Sequence, residues 1–267
     1  METHDSTPIP PTEAADAKPS GSAVPAGAAG SHASGRSGAV RLWALGAGAA
    51  AALVSWVLIE TTLDSFKPTA TPKGFRSTPF LAPGAEERAA AGTRNAALAM
   101  GLMSATLGLS LGLAGGLAHH SARAGAVAAS LGLVLGAAAG ASAAVAAVPL
   151  ASRVHERDPG NMSAEMASSL LVHGLPWAAV GAVGGLAFGI GLGGRARAIR
   201  GLLGGLLGAI AGTFLYEIIG AMALPDHKII EPIAATWGVR LLAQFLAAIS
   251  TAAGVAALAP YPTDRRP

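Results

Sequence analysis

Glu217 is the residue whose type and position most strongly suggest chemistry. It lies inside an apolar run, a few residues before Pro225, which puts it roughly 10–12 Å from the helix end at about 1.5 Å per residue. A carboxylate at that depth in a membrane is costly and indicates a functional site. His173 and Arg240 open two other apolar runs on the same side of the bilayer. The three side chains therefore form a candidate polar cluster.

Two interpretations of this cluster stay open. As a relay, His173, Glu217 and Arg240 would carry a proton or an ion part of the way across the bilayer. As a structural device, Glu217 and Arg240 would form an ion pair or extend to the membrane surface. We favour the structural interpretation, because interfacial pairs are ordinary in helical bundles.

Other candidate motifs give weaker signals. His119 and His120 are adjacent and so point to different helix faces, which does not suit the binding of one metal ion. Asp226, His227 and Glu231 lie between two prolines, which favours a turn with surface charge. The sequence contains no Walker loop, no H-E-x-x-H and no G-x-S-x-G motif. We therefore predict no metal site, no cofactor and no enzymatic activity.

Composition argues against a soluble globular enzyme, a disordered chain and a disulfide scaffold. Of 267 residues, 52% are hydrophobic, 12% are charged and none is cysteine, whereas a soluble domain is about 25% charged. The net charge is +3, but the 18 basic residues are scattered along the chain, so a nucleic-acid partner is not predicted. Abundant alanine, with arginine favoured over lysine, is typical of a bacterial protein of high genomic GC content.

Six apolar runs predict an all-α, polytopic transmembrane helical bundle. Each run reaches the ~20 residues that a helix needs to cross a membrane. The third run is the weakest because it is rich in alanine, so five spans remain an alternative to six. A soluble helical array is disfavoured because runs two to five lack a charged face. The runs cover about 40–60, 96–118, 124–150, 170–193, 201–224 and 238–259.

The resulting organisation has seven segments. We expect a disordered N-terminal tail, a first transmembrane helix, a long extramembrane loop, a four-helix region, a second loop, a last transmembrane helix and a short C-terminal tail. In the long loop, prolines favour an extended stretch, followed by a short interfacial helix around Glu86–Ala91. The segments are 1–38, 39–60, 61–94, 95–224, 225–237, 238–259 and 260–267.

Small residues recur at every fourth position in runs two to five. This spacing puts them on one helix face, where two backbones can approach closely in lipid. Residues 108–113 match 185–190, and 135–140 match 207–212, which predicts a duplicated helical hairpin with both copies parallel. The pattern resembles glycine-zipper segments in general, a packing motif without a single activity. The predicted packing residues are Gly108, Gly112, Gly116, Gly132, Gly136, Gly140, Gly181, Gly185, Gly189, Gly193, Gly204, Gly208 and Gly212.

Charge in the short turns predicts an orientation. Arg123 lies in one hairpin turn, Arg195, Arg197 and Arg200 lie at the other, and neither turn has an acidic residue. Basic short loops favour the cytoplasmic side, so we expect the turns and both termini to be cytoplasmic in a multi-pass protein of the inner (plasma) membrane.

The function predicted from the sequence is structural or accessory. The partners would be the lipid bilayer and either a second copy of the chain or another membrane protein. The alternative is a small ion or solute channel or transporter with a polar cluster around Glu217.

Overall fold

A computed structural model describes residues 28–73, 80–158, 160–223 and 232–258 of the chain, with the side chains of 28–37 and 71–81 left out of the description. The described part contains six helices and one pair of short strands. In chain order the elements are α1 (Ala28–Thr62), β1 (Ala70–Lys73), β2 (Phe80–Pro83), α2 (Ala85–Ala118), α3 (Ala122–Arg157), α4 (Met162–Gly191), α5 (Arg195–Ala223) and α6 (Trp237–Leu258).

All six helices are long and apolar enough to cross a membrane. This confirms the predicted all-α class and is compatible with an integral membrane protein. α1 begins at Ala28, inside the stretch for which the sequence predicts a tail. Most of that tail and the C-terminal tail lie outside the described residues, as does most of the loop predicted over 225–237.

The long loop differs from its prediction in one respect. Its extended stretch pairs with itself, since β1 and β2 are antiparallel with Ala70 opposite Pro83. The separate interfacial helix expected around Glu86–Ala91 is instead the first part of α2, which begins at Ala85. Glu86 and Glu87 lie in its first turn, where negative charge interacts favourably with the N-terminal helix dipole.

Local signals set the helix ends on both sides of the bundle. Ser121 accepts a hydrogen bond from the Ala124 amide at the start of α3, and Asn161 accepts one from the Ser163 amide at the start of α4. Between α4 and α5 the backbone turns through Gly193 and Gly194 at φ values of 79° and 91°, a region that glycine enters at low cost.

The helices form a closed ring in which each contacts its neighbours in the chain and α6 contacts α1. α2 and α4 also contact each other, and α4 contacts α6. The membrane-length segments of α2 and α4 are the most buried of the six. Consecutive helices run in opposite directions. We call the end with the α2–α3 and α4–α5 connections the turn end, and the end with residues 63–73, 80–84, 160–161 and 232–236 the loop end.

The α2–α3 contact is made of backbone against backbone along most of its length. A Cβ atom added at Gly108 would come within 2.6 Å of the carbonyl carbon of Gly132, and one at Gly112 within 2.6 Å of the carbonyl carbon of Ala128. The same holds on the α3 side, where Gly136 and Gly140 abut the backbone of Ser104 and Met100. At the turn end, Gly116 abuts Gly125. The predicted stripes of α2 and α3 thus face each other.

The α4–α5 contact is also made of backbone against backbone, but the glycines that α5 contributes are not the predicted ones. Gly181 and Gly185 of α4 abut the backbone of Gly205 and Gly201, and Gly189 abuts Arg197 and Ala198. The sequence interpretation did not include Gly201 and Gly205.

The predicted α5 stripe of Gly204, Gly208 and Gly212 faces a different helix. It packs against α6, where it meets Gly254, Ser250 and Leu246. Gly193 is not part of a helical stripe, because α4 ends at Gly191 and Gly193 lies in the turn with positive φ.

Candidate functional site

Glu217 is the centre of a polar cluster between α4 and α5. Its carboxyl oxygen Oε1 lies 3.0 Å from Nδ1 of His173. The hydroxyl of Ser169 lies 2.8 Å from each carboxyl oxygen. The side chain of His173 is 4% exposed and that of Glu217 is 20% exposed. The structure therefore brings together two of the three residues in the predicted cluster and adds a hydroxyl donor.

Aromatic rings surround this cluster. The His173 ring meets the ring of Tyr216 edge-on, with centroids 5.1 Å apart, and that of Trp177 at 6.1 Å. Trp177 and Tyr216 contact each other at 5.4 Å. Both are buried. The low polarity of these rings strengthens the interaction between His173 and Glu217 and makes an unpaired partner costly.

Helical spacing explains how the side chains meet. Ser169, His173 and Trp177 follow one another at intervals of four residues on α4, so they share one face. Glu217 lies about 9 Å from the loop end of α5 at 1.5 Å per residue. Pro176 stands within this part of α4, and its missing N–H leaves the helix without one intrahelical hydrogen bond beside the site.

Arg240 binds Glu60 and makes no hydrogen bond to Glu217. Its Nε donates to Oε1 of Glu60 at 2.7 Å, and Nη2 donates to Oε2 at 2.8 Å. Its Nη1 donates to the carbonyls of Ala234 and Ala235 at 2.8 and 2.9 Å. The pair suggested between Glu217 and Arg240 is therefore wrong. Glu60, at the loop end of α1, reaches the guanidinium with both oxygens, the strongest geometry for such a pair.

Further polar and aromatic contacts join α1 to α6 near this ion pair. Ser55 donates to Oε1 of Gln244 at 2.9 Å. The rings of Trp56 and Trp237 lie 6.4 Å apart at the loop end. The first and last helices are thus connected by side-chain interactions, whereas α2 and α3 are connected by glycine contacts.

A small cavity of about 20 Å³ lies between the two polar groups. Its polar wall consists of His173, Trp177, Tyr216, Arg240 and Gln244. His173 and Arg240 therefore face one shared space although they do not pair. A cavity of this size holds about one water molecule.

The arrangement pairs one carboxyl group with one histidine, which is fewer protein ligands than a metal site usually has. Within the described ranges, no group of three His, Cys, Asp or Glu side chains is placed to bind a metal. His119 and His120 are exposed at the turn end. Asp226, His227 and Glu231 lie outside the described residues.

Sequence reasoning missed two members of the polar groups, and each had a signal. Ser169 precedes His173 by one helical repeat of four residues, which places a hydroxyl on the same face. Glu60 closes the first apolar run as Arg240 opens the last, so both lie at the same end of the bundle. That α1 is adjacent to α6 had no signal in the sequence.

The fold and the buried polar pairs are compatible with an integral membrane protein made of six apolar helices. Comparison of the chain with known protein families, with curated proteins and with solved structures finds no match.

Proposed function

We propose that the chain is an integral membrane protein with a structural or accessory role, in which glycine-lined helix contacts form a closed bundle. The observation that carries this proposal is the series of backbone contacts between α2 and α3 and between α4 and α5. In lipid, helices gain little from the hydrophobic effect, so close packing of small residues supplies the association energy. Such contacts favour a rigid assembly over one that opens.

The interior supports the same role. Large side chains fill the space where the inner helices meet, among them Leu107, Leu111, Phe188 and Leu192, each at most 1% exposed. The cavity at the polar centre accommodates one water molecule, which is far smaller than a solute. A structural role also needs a partner beyond the bilayer, which we propose to be a second copy of the chain or another membrane protein.

The helical hairpins α2–α3 and α4–α5 are proposed to be two copies of one glycine-zipper unit. Both have a short connection at the turn end and glycines in backbone contact. The equivalence holds for Gly108 and Gly185 but shifts on the second helix, because Gly108 meets Gly132 while Gly185 meets Gly201. The matched segment of α5 contacts α6 instead, as expected if a duplicated hairpin acquired a new neighbour.

We propose a plasma-membrane location, in a bacterium, with the turn end and both termini in the cytoplasm. The arginines of the two turns support this orientation. The chain contains no cysteine, so single-cysteine variants can be labelled without background. A cysteine at Met162, which is 83% exposed at the loop end, should react with an impermeant thiol reagent added outside intact spheroplasts. Reaction only after lysis would reverse the proposed orientation.

A second candidate function is proton or ion transport through the Glu217 cluster. The specific observation that favours it is a carboxyl group paired with a histidine within a membrane-length helix, since such residues commonly mark proton and ion pathways. Here the side chains would act as a relay and the glycine contacts as its scaffold.

One flux experiment separates the two candidates. Purified protein is reconstituted in liposomes, and proton and cation flux is measured for the wild type, Glu217→Gln and a matched control, Glu156→Gln, at an exposed position. A structural role predicts that all three leak no faster than protein-free vesicles. Flux in the wild type and the control that is lost in Glu217→Gln would overturn the structural proposal in favour of transport.

A further inference from the structure

Trp177, which lines the cavity beside His173, carries a hydrogen-bond donor that lacks a partner among the described residues. Nε1 of Trp177 is buried and has no hydrogen-bond partner in the part of the chain that the structure describes. The side chain is 2% exposed and its ring lines the cavity. A buried N–H without an acceptor destabilises the fold, so an acceptor small enough for this space is needed. Water meets that requirement, because the cavity holds about one molecule and has several polar walls.

A larger vestibule lies next to the cavity at the loop end. It has a volume of about 340 Å³, and its wall includes Asp64, Gly92 and Asn95. The vestibule and the cavity share four wall residues, namely Pro232, Ile233, Ala234 and Arg240. Arg240, which is paired with Glu60, therefore lies in the wall that the vestibule shares with the cavity beside His173.

The opposite direction is closed. Toward the turn end, α4 and α5 are in backbone contact at Gly181, Gly185 and Gly189. Val180 and Phe188 are each at most 1% exposed in the same part of α4. The cavity therefore adjoins solvent at the loop end, where it shares wall residues with the vestibule.

We propose that the cavity binds one water molecule through the indole N–H of Trp177, and that this water connects the His173–Glu217 pair to solvent at the loop end only. The water passes a proton to the pair and takes one from the vestibule, so the net change is uptake of one proton by the pair. This site is independent of the proposed function, because a proton taken up and released on one side produces no flux.

The surroundings of the pair contain few other groups that titrate or carry charge. Tyr216 comes from α5, and Arg240 comes from α6 with its guanidinium bound to Glu60 of α1. α2 contributes Ala99 and Met100 to the cavity wall. Among the described residues that line the cavity, none belongs to α3. A proton that enters through the cavity therefore has few acceptors there besides the His173–Glu217 pair.

Time-resolved infrared spectroscopy of oriented vesicles tests this proposal. The single cysteine of Met162→Cys allows vesicles with the loop end outward to be captured on a thiol resin. The carboxyl band of Glu217 is identified by its loss in Glu217→Gln. A step of external pH from about 8 to about 5 should change this band at once in captured vesicles. Vesicles of the opposite orientation should respond only after a protonophore is added.

Two variants test the bound water. Trp177→Phe keeps the ring and removes the N–H, and Ala243→Val adds volume to the cavity wall. Each should slow the band change by about tenfold or more, a change in barrier close to the contribution of one hydrogen bond. Trp237→Phe, at a position 63% exposed, is the matched control and should respond as the wild type does. An equal response from both faces, or unchanged rates in both cavity variants, would overturn the proposal.

Discussion

The two hairpins begin alike at the turn end and differ toward the loop end. In α2–α3, small residues meet backbone to backbone from Gly116 through Gly108 to the level of Met100 and Gly140. In α4–α5, the same kind of contact runs from Gly189 to Gly181 and then stops. The next positions at intervals of four on α4 are Trp177, His173 and Ser169. One hairpin is in backbone contact along most of its length, whereas the other has backbone contact near the turn end and polar side chains near the loop end.

The difference shows what decides whether two helices form a close backbone contact or leave space for a polar site between them. Glycine lets two backbones touch and leaves no room for a side chain. Where glycine gives way to Trp177 and His173, the space between the helices holds rings and a carboxyl group, which need partners because they are buried. The change from small to large residues at intervals of four therefore marks the boundary of the candidate site.

The largest expected effect comes from disrupting the glycine backbone contact that both hairpins have near the turn end. Gly108→Leu or Gly189→Leu would drive a side chain into the backbone of the facing helix, and overpacking that forces the two helices apart destabilises the whole hairpin. We expect loss of the monodisperse folded protein in detergent, measured by size-exclusion chromatography and thermal unfolding. Gly46→Leu is the control, because a Cβ there meets nothing within 4 Å and an apolar groove of about 600 Å³ adjoins it. Normal folding of both interface variants would contradict the close backbone contacts at Gly108 and Gly189.

The next largest loss of stability comes from the ion pair at the loop end. Arg240→Leu removes one partner of a largely buried ion pair and leaves Glu60 without its guanidinium, a change that typically costs about 3–5 kcal/mol. Thermal unfolding in detergent measures this loss. The double variant Glu60→Leu with Arg240→Leu should recover a part of the stability, since no uncompensated charge remains. If the double variant were as unstable as the sum of the two single variants, the pair would not be coupled.

A smaller effect distinguishes the hydrogen bond between Ser169 and Glu217 from a serine hydrogen bond within α4 itself. Ser169→Ala removes the hydroxyl that contacts both oxygens of Glu217 and should cost about 1–3 kcal/mol, as expected for a hydrogen bond to a partly buried carboxyl group. Ser168→Ala is the matched control, because Ser168 is also buried but bonds only to the carbonyl of Glu165 in its own helix. Equal stability changes in the two variants would show that Ser169 contributes nothing special to the cluster.

The smallest effect compares the hairpins directly at their loop ends. A Cβ at Gly140 of α3 would lie 2.8 Å from the Cβ of Ser104, whereas one at Gly174 of α4 would lie 3.7 Å from Cγ2 of Thr213. Gly140→Ala should therefore lower the midpoint of thermal unfolding. Gly174→Ala should leave it unchanged or raise it slightly, because alanine favours the helix by about 1 kcal/mol over glycine. A loss at Gly174 as large as that at Gly140 would contradict the proposed difference.

Much of the fold could be predicted because the length and hydropathy of an apolar run indicate a helix that can cross a membrane. The six helices and their order followed from hydropathy, and the depth of Glu217 within its apolar run was enough to single it out. Partner choice could not be predicted. Arg240 and Glu217 each had several acceptable partners at the same end of the bundle, and only the ring arrangement places Glu60 beside Arg240.

Glycine spacing had a similar limit. α5 carries two glycine faces, one with Gly201 and Gly205 and one with Gly204 and Gly208. Periodicity reveals both faces but does not say which helix each one meets. In α2 and α3 a single dominant stripe left no such choice, and there the predicted packing residues face each other.

The bidentate ion pair between Arg240 and Glu60 joins two residues that are 180 positions apart in the sequence. This separation matters during synthesis of the chain. Because translation proceeds from the N-terminus, Glu60 is made long before Arg240. Until α6 is complete, the carboxylate of Glu60 lacks its guanidinium partner. A truncated polypeptide without α6 should therefore carry an uncompensated carboxylate near the end of α1.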